Sequence, residues 1–308
     1  MSVWRQAVAD YLTIRRSLGH KLERAGRLLP QFIDYLEDVD AATITVEHAL
    51  TWAMLPGNER VNWWAERLSI ARGFTAWLAA HDPTVEVPPA GLLGSRPRRA
   101  TPTLFSETDI VALMAATATI RSPLRAATYR TLIGLVAVTG MRIGEALGLD
   151  RRDLDIGRGV LVVRSGKFGK ARQLPLHHTT LDVLADYLAD RDRLCPGADP
   201  DALFITTRGT RLAYGYVKVT FRQLIDRAGL ATHPGSRPPR LHDLRHSFVV
   251  NAVLDAYRSG TDVQARLPVL STYVGHVDPA ATYWYLSSAP ELLAVAGQRL
   301  DQNLQGRS

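Results

Sequence analysis

The sequence predicts a mainly α protein of two parts: a helical N-terminal domain, then a mostly α domain holding one small antiparallel three-stranded sheet. Three observations carry this. Apolar residues recur at helical spacing through most of residues 1–81. A stretch rich in Pro, Gly and Arg, HDPTVEVPPAGLLGSRPRRATPTL (81–104), then interrupts the pattern. Beyond it, short β-like runs sit among long helical ones. The expected boundaries are 1–82, 83–104 for the linker, and 105–308. The chain has 308 residues, enough for two domains with ample cores.

In the first domain Leu22, Ala25, Leu28, Leu29, Phe32, Ile33 and Leu36 form one helical stripe. Pro30 falls inside it and should kink or split the helix. Trp63, Arg67, Ile70, Phe74, Trp77 and Leu78 form a second stripe, read as the core of a small bundle. Lys21, Arg24 and Arg27 repeat every third residue on the opposite side of their helix. Such a row is either a solvated face or, against DNA, a phosphate-contacting stripe. Arg96, Arg98 and Arg99 make the linker basic.

In the second domain Ser106 and Asp109 form a capping-box start, with Asp in place of Glu. Helices are expected near 107–117, 123–139, 179–193, 215–228, 242–258, 263–272, 279–286 and 290–300. Strands are expected at Asp153–Ile156, Val160–Arg164 and Arg172–Leu176, with residues 166–170 turning a hairpin between the last two.

Apolar residues make up 46% and charged residues 22%, an ordinary globular balance. The net charge of +7 favours a polyanionic partner. Cys195 is the sole cysteine, so no internal disulfide forms, which suits a reducing compartment. The N-terminus lacks a signal-peptide pattern, and the apolar run Leu132–Val138 is too short to span a bilayer. The expectation is a cytoplasmic protein with no membrane partner.

Five pieces carry chemistry. In TGMRIGEALGL (139–149), Arg142 and Glu145 stand three apart and should share a helix face. In SGKFGKARQLPL (165–176), Lys167 and Lys170 sit on the hairpin turn; alone they would be solvated lysines that blunt a sheet. In RLHDLRHSF (240–248), His242 and Arg245 project from one side of a helix. His276 follows Gly275, and Asp278-Pro279 opens a helix carrying Tyr283 and Tyr285. Those two tyrosines lie roughly 200° apart, so a single cleft takes one of them. Asp150, Asp153 and Asp155 are interleaved with Arg151 and Arg152, which reads as a solvated strand edge rather than a cation site. No metal-ligand spacing and no Gly-rich nucleotide loop is present, so neither metal nor cofactor is expected.

In this order the pieces resemble the tyrosine recombinase family, of the phage-integrase and XerC/XerD type, over roughly 105–300. The first domain is similar, through less specific motifs, to that family's core-binding domain. The resemblance implies Arg142 and Arg245 as catalytic arginines, Lys167 as the catalytic lysine, and His242 and His276 as the two histidine positions. It implies Tyr285 as nucleophile, in preference to Tyr283, and Glu145 as acidic support. Lys21, Arg24, Arg27, Arg96, Arg98, Arg99 and Lys170 are the candidate DNA contacts. The segment from Asp255 to His276 is longer than usual for the family and places Tyr273 before the histidine, where the family has no nucleophile.

The implied function is a site-specific DNA recombinase or integrase, serving a mobile element, that cleaves and rejoins duplex DNA through a 3′-phosphotyrosyl intermediate. It would work as a tetramer on two paired recombination sites, with accessory proteins left open. The tail, with Leu292, Leu293, Val295 and Leu300, is amphipathic and would dock on a neighbour or on its own domain. Two other readings stand beside this: a type IB topoisomerase, and a non-catalytic helical DNA-binding protein.

Overall fold

The computed structural model describes residues 3–55, 57, 61–94, 102–164, 171–230 and 237–275. The chain divides into two compact units, Met1–Ala100 and Thr101–Ser308.

The first unit holds α1 (Val3–Ser17), α2 (Glu23–Asp38), α3 (Val46–Met54) and α4 (Val61–Leu78). Leu29, Phe32, Ile33 and Leu36 of α2 meet Ala49 and Trp52 of α3 and Phe74 of α4 in a closed core. Trp63, Ile70 and Trp77 pack partly buried against it. Arg67 is also buried there, its guanidinium 3.8 Å above the Trp52 ring and donating to the Trp52 carbonyl at 2.8 Å. Thr45 caps α3 in a box closed by the His48 side chain.

Two expectations change here. α2 is not split at Pro30, which is solvent-exposed; the proline leaves the Gly26 carbonyl without its helical donor, a place that water can fill by donating. Lys21 does not belong to the row of Arg24 and Arg27, because α2 begins at Glu23 after Leu22 adopts a left-handed conformation with φ 45°. Arg24 itself is ion-paired with Glu66 of α4. Residues 82–94 stay with the first unit: Val85 is buried in its core, and the Glu86 amide donates to the Ile44 carbonyl at 2.8 Å. Arg96, Arg98 and Arg99 lie outside the described residues.

The second unit starts with α5 (Glu107–Ala116), whose Ser106/Asp109 box is formed as the sequence suggests. α6 (Pro123–Thr139) is buried on most sides and packs against α5, α8 (His178–Leu194) and α10 (Leu241–Arg258). The short α7 (Ile143–Leu147) follows. α9 (Tyr214–Arg227) packs on α5, and α11 (Val263–Val274) closes on α10 through Val253, Val263 and Leu267.

The sheet is antiparallel in the order β1 (Leu154–Asp155), β2 (Val160–Val163), β3 (Arg172–Pro175), with Val163 opposite Arg172 and Val160 opposite Pro175. β1 is shorter than expected because residues 151–153 form a 3₁₀ turn. Two of the three aspartates nearby are not a solvated edge; the third, Asp155, is exposed on β1 as the sequence suggests. Asp153 is buried and paired with Arg164, and Asp150 accepts from Arg211 and Arg152. Arg152 from the run itself, with Arg164 and Arg211 from other elements, supplies the counter-charges, so Asp150 and Asp153 belong to an ion-pair network. The hairpin turn with Lys167 and Lys170, and the helices expected at 279–286 and 290–300, lie outside the described residues.

Candidate active site

Two helix ends and a strand build the site. α6 stops at Gly140, which takes φ 58°, a left-handed cap that glycine adopts without steric cost. The chain then turns through Met141 so that Arg142 sits in extended conformation as the N-cap of α7. Arg142 and Glu145 therefore do not share a helix face. Glu145 accepts both bonds of the cap, from the Arg142 amide to Oε2 at 3.0 Å and from Arg142 Nη1 to Oε1 at 2.9 Å. The same guanidinium donates through Nη2 to the carbonyl of Gly275, at the left-handed cap of α11, at 2.8 Å.

Glu145 is 8% exposed and has a second cation. Arg172 of β3 donates through Nη2 to Oε2 at 2.7 Å and through Nη1 to Oε1 at 3.1 Å. Its Nε donates to the Tyr273 carbonyl at 2.9 Å. Burial alone would raise the Glu145 carboxyl, but the hydrogen bonds from Arg172 and Arg142 outweigh it and hold its pKa below the usual value. Gly275 has no room for a side chain, since a Cβ there would lie 2.8 Å from Arg172 Nη1.

Facing this cluster is the first part of α10. Arg245 is 1% exposed and donates through Nη1 to the Gly140 carbonyl at 2.8 Å. Both arginines thus reach carbonyls at helix C-termini, where the helix dipole is negative. His242 lies on the solvent-exposed side of α10, with the His246 ring edge-on at 4.7 Å. Desolvation and the charges of Arg245, Arg240 and Arg142 push its pKa down to about 4. Solvent reaches part of the ring, which tempers the desolvation and screens the three guanidiniums, but both causes push in the same direction. His242 is therefore a neutral imidazole at pH 7, among positive charges that suit an anionic ligand.

The base of α10 is tied to the start of the unit. Ser247 Oγ accepts from the Phe105 amide at 2.7 Å and donates to the Asp243 carbonyl at 2.9 Å.

Of the residues singled out from sequence, Arg142, Glu145, His242 and Arg245 come together. Lys167, His276, Tyr283 and Tyr285 lie outside the described residues. Tyr273 is described: its ring stacks on Phe248 at 5.8 Å, and burial pushes its hydroxyl pKa up, the wrong direction for a nucleophile. Sequence reasoning missed Arg172. A signal existed, because Arg172 and Leu174 share a strand face and Leu174 is fully buried. An arginine on the inward face needs a buried acid to meet it. Among the described residues, no group of three or more His, Cys, Asp or Glu is placed to hold a metal ion, and no helix is long and apolar enough to cross a membrane.

A sequence model of the Phage integrase family matches residues 104–291. The chain is 42% identical to the "Putative integrase/recombinase y4rB" of Sinorhizobium fredii (strain NBRC 101917 / NGR234), over 100% of both chains. It is 29% identical to tyrosine recombinase XerC of Mycobacterium tuberculosis (strain ATCC 25177 / H37Ra), over 96% of this chain and 98% of that one. Among solved structures, the XerH site-specific recombinase bound to palindromic difH substrate superposes with a TM-score of 0.64 at 20% identity, covering 89% of this chain and 78% of that one. The Tn1549 transposon integrase in complex with transposon right end DNA superposes with a TM-score of 0.64 at 16% identity, covering 96% and 99%. These two structures share the fold of this chain.

Proposed function

The chain belongs to the phage integrase family of tyrosine recombinases, and on that premise we propose that it is a site-specific DNA recombinase that breaks and rejoins duplex DNA through a 3′-phosphotyrosyl intermediate formed on Tyr285. The observation that carries this reading is the convergence of Arg142, Glu145, His242 and Arg245 in one cluster.

A tyrosine hydroxyl ionises near pH 10, so forming the phenolate at pH 7 costs about 4 kcal/mol. Attack on a phosphodiester therefore needs fixed positive charge on the phosphate and an acceptor for the phenol proton. Arg142 and Arg245 supply the charge. Their forked guanidiniums match phosphate oxygens and remain protonated at any working pH. Charge grows on the phosphorane in the transition state, so donors already held in place favour it over the ground state.

His242, neutral at pH 7, takes the Tyr285 proton or holds a phosphate oxygen. His276 donates a hydrogen bond to the same phosphate. Lys167 protonates the departing 5′ oxygen, which would otherwise leave as an alkoxide. The phosphotyrosyl bond conserves the energy of the broken diester, so rejoining needs no nucleotide. Glu145 orients Arg142 and touches no DNA.

Lys21, Arg24, Arg27, Arg96, Arg98, Arg99 and Lys170 contact DNA phosphates in this reading, and four copies act on two paired sites. The 42% identity to an integrase/recombinase, and the likeness to a transposon integrase, support work on a mobile element.

The test is covalent capture on a nicked suicide duplex carrying the cognate site, found by protection of the DNA flanking the coding region. The wild-type chain is expected to form a covalent adduct that Tyr285→Phe abolishes while DNA binding persists. An adduct that survives in Tyr285→Phe would overturn the nucleophile. Plasmid relaxation without any specific site would favour topoisomerase action instead.

A further inference from the structure

Glu145 accepts four hydrogen bonds, two from Arg142 and two from Arg172. One carboxylate shared by two guanidiniums leaves the group one positive charge in excess. Were Arg142 alone with Glu145, the pair would be neutral and a phosphate would find little attraction there. Arg172 makes a further bond that Arg142 cannot make, from Nε to the Tyr273 carbonyl. That bond lies two residues before Gly275, whose carbonyl Arg142 holds. The bonds close a ring: Arg142 to Glu145, Glu145 to Arg172, Arg172 to Tyr273, and along the backbone to Gly275 and Arg142.

We propose that Arg172 is a positioning residue of the strand-cleavage reaction: by sharing Glu145 it leaves the Arg142–Glu145–Arg172 group with a net positive charge towards the scissile phosphate, and by binding Tyr273 it fixes the end of α11 that leads into His276. It touches no DNA and acts through Arg142 and the α11 cap. This rests on the recombinase reading above for the identity of the anion, but not for the charge balance.

The two contributions separate by mutation. Arg172→Met keeps length and removes charge; adding Glu145→Gln then removes the carboxylate that would neutralise Arg142. With the full chain on a saturating suicide duplex, Arg172→Met is expected to slow single-turnover capture about 10- to 100-fold, with duplex affinity within about 3-fold of wild type. The double variant is expected to recover about 10-fold or more of that loss, a coupling that a purely structural role would not produce. Arg172→Lys, which keeps the charge with fewer donors, should fall between.

A second readout needs no cleavage: the sulfate-dependent rise in melting temperature, taken as the part that Arg142→Gln removes. It should shrink in Arg172→Met and return in the double variant. Unchanged capture and sulfate response in Arg172→Met, or a double variant worse than Arg172→Met in both, would overturn the proposal. A wild-type chain that captures no DNA but shows this sulfate pattern would instead overturn the recombinase reading and leave the role of Arg172 standing.

Discussion

The carbonyl of Gly140 accepts a hydrogen bond from Nη1 of Arg245 at 2.8 Å, joining residues 105 apart in the chain. Gly140 must be glycine for two reasons. Its φ is 58°, and a Cβ would lie 2.3 Å from Phe248 Cδ1. Gly140→Ala should therefore cost about 1–2 kcal/mol for the left-handed backbone and about 1–3 kcal/mol for overpacking. The tilt of α10 that relieves the clash also moves Arg245. A lowered melting temperature together with slower DNA capture is the expected result, whereas Gly144→Ala, which meets nothing within 4 Å, should spare the packing.

The link between Phe105 and Ser247 predicts a smaller effect. Ser247→Ala leaves the Phe105 amide buried without its acceptor, a loss of about 1–3 kcal/mol. The bond lies at the base of the turn of α10 that carries His242 and Arg245. Hydrogen exchange should show faster opening at Phe105 and the start of α10, with the first unit unchanged.

Much of this fold is legible in the sequence. The helices from α5 to α11, apart from α7, begin and end near the expected residues. Periodicity is strong there, and the ends are chemically marked, as by Ser106 and Asp109 for α5 and Gly140 for α6. The β2–β3 hairpin pairing is legible for the same reason. What escaped depends on contacts between distant segments. α7 has five residues, too few for periodicity, so Arg142 as a cap could not be separated from Arg142 on a helix face. The aspartates at 150 and 153 looked solvated because Arg164 and Arg211, which pair with them, come from other elements. Arg172 went unnoticed because its carboxylate partner lies 27 residues away.

Glu145 makes a prediction in stability and in pH. Glu145→Ala strands two guanidiniums around a vacated, buried carboxylate site, and removing one partner of such a cluster costs about 3–5 kcal/mol. The wild-type carboxyl titrates below its unfolded pKa, so its contribution is complete above that unfolded value and declines as pH falls through the folded one. Thermal unfolding from pH 7 to pH 3 should show a smaller acid loss in Glu145→Gln than in wild type. Equal acid slopes in the two proteins would mean that Glu145 is not held ionised by its arginines.

His242 titrates in the opposite sense to a histidine that has gained an acid partner. Its folded pKa is pushed from 6.5 down to about 4 by desolvation and by Arg245, Arg240 and Arg142. Between those two values the unfolded chain binds the proton more readily than the folded one. Stability through this group therefore rises with pH across the window and is fully regained above about pH 6.5. His242→Gln should flatten that part of the melting curve. Buried His246, edge-on to His242, is controlled for by repeating the scan in His246→Gln. A phosphate between the guanidiniums would offset their charge and draw the imidazole pKa back up. NMR titration of the His242 ring should thus show an upward shift when inorganic sulfate is added at constant ionic strength. A ring that titrates near 6.5 without the anion and does not move with it would mean that the three arginines do not act on His242.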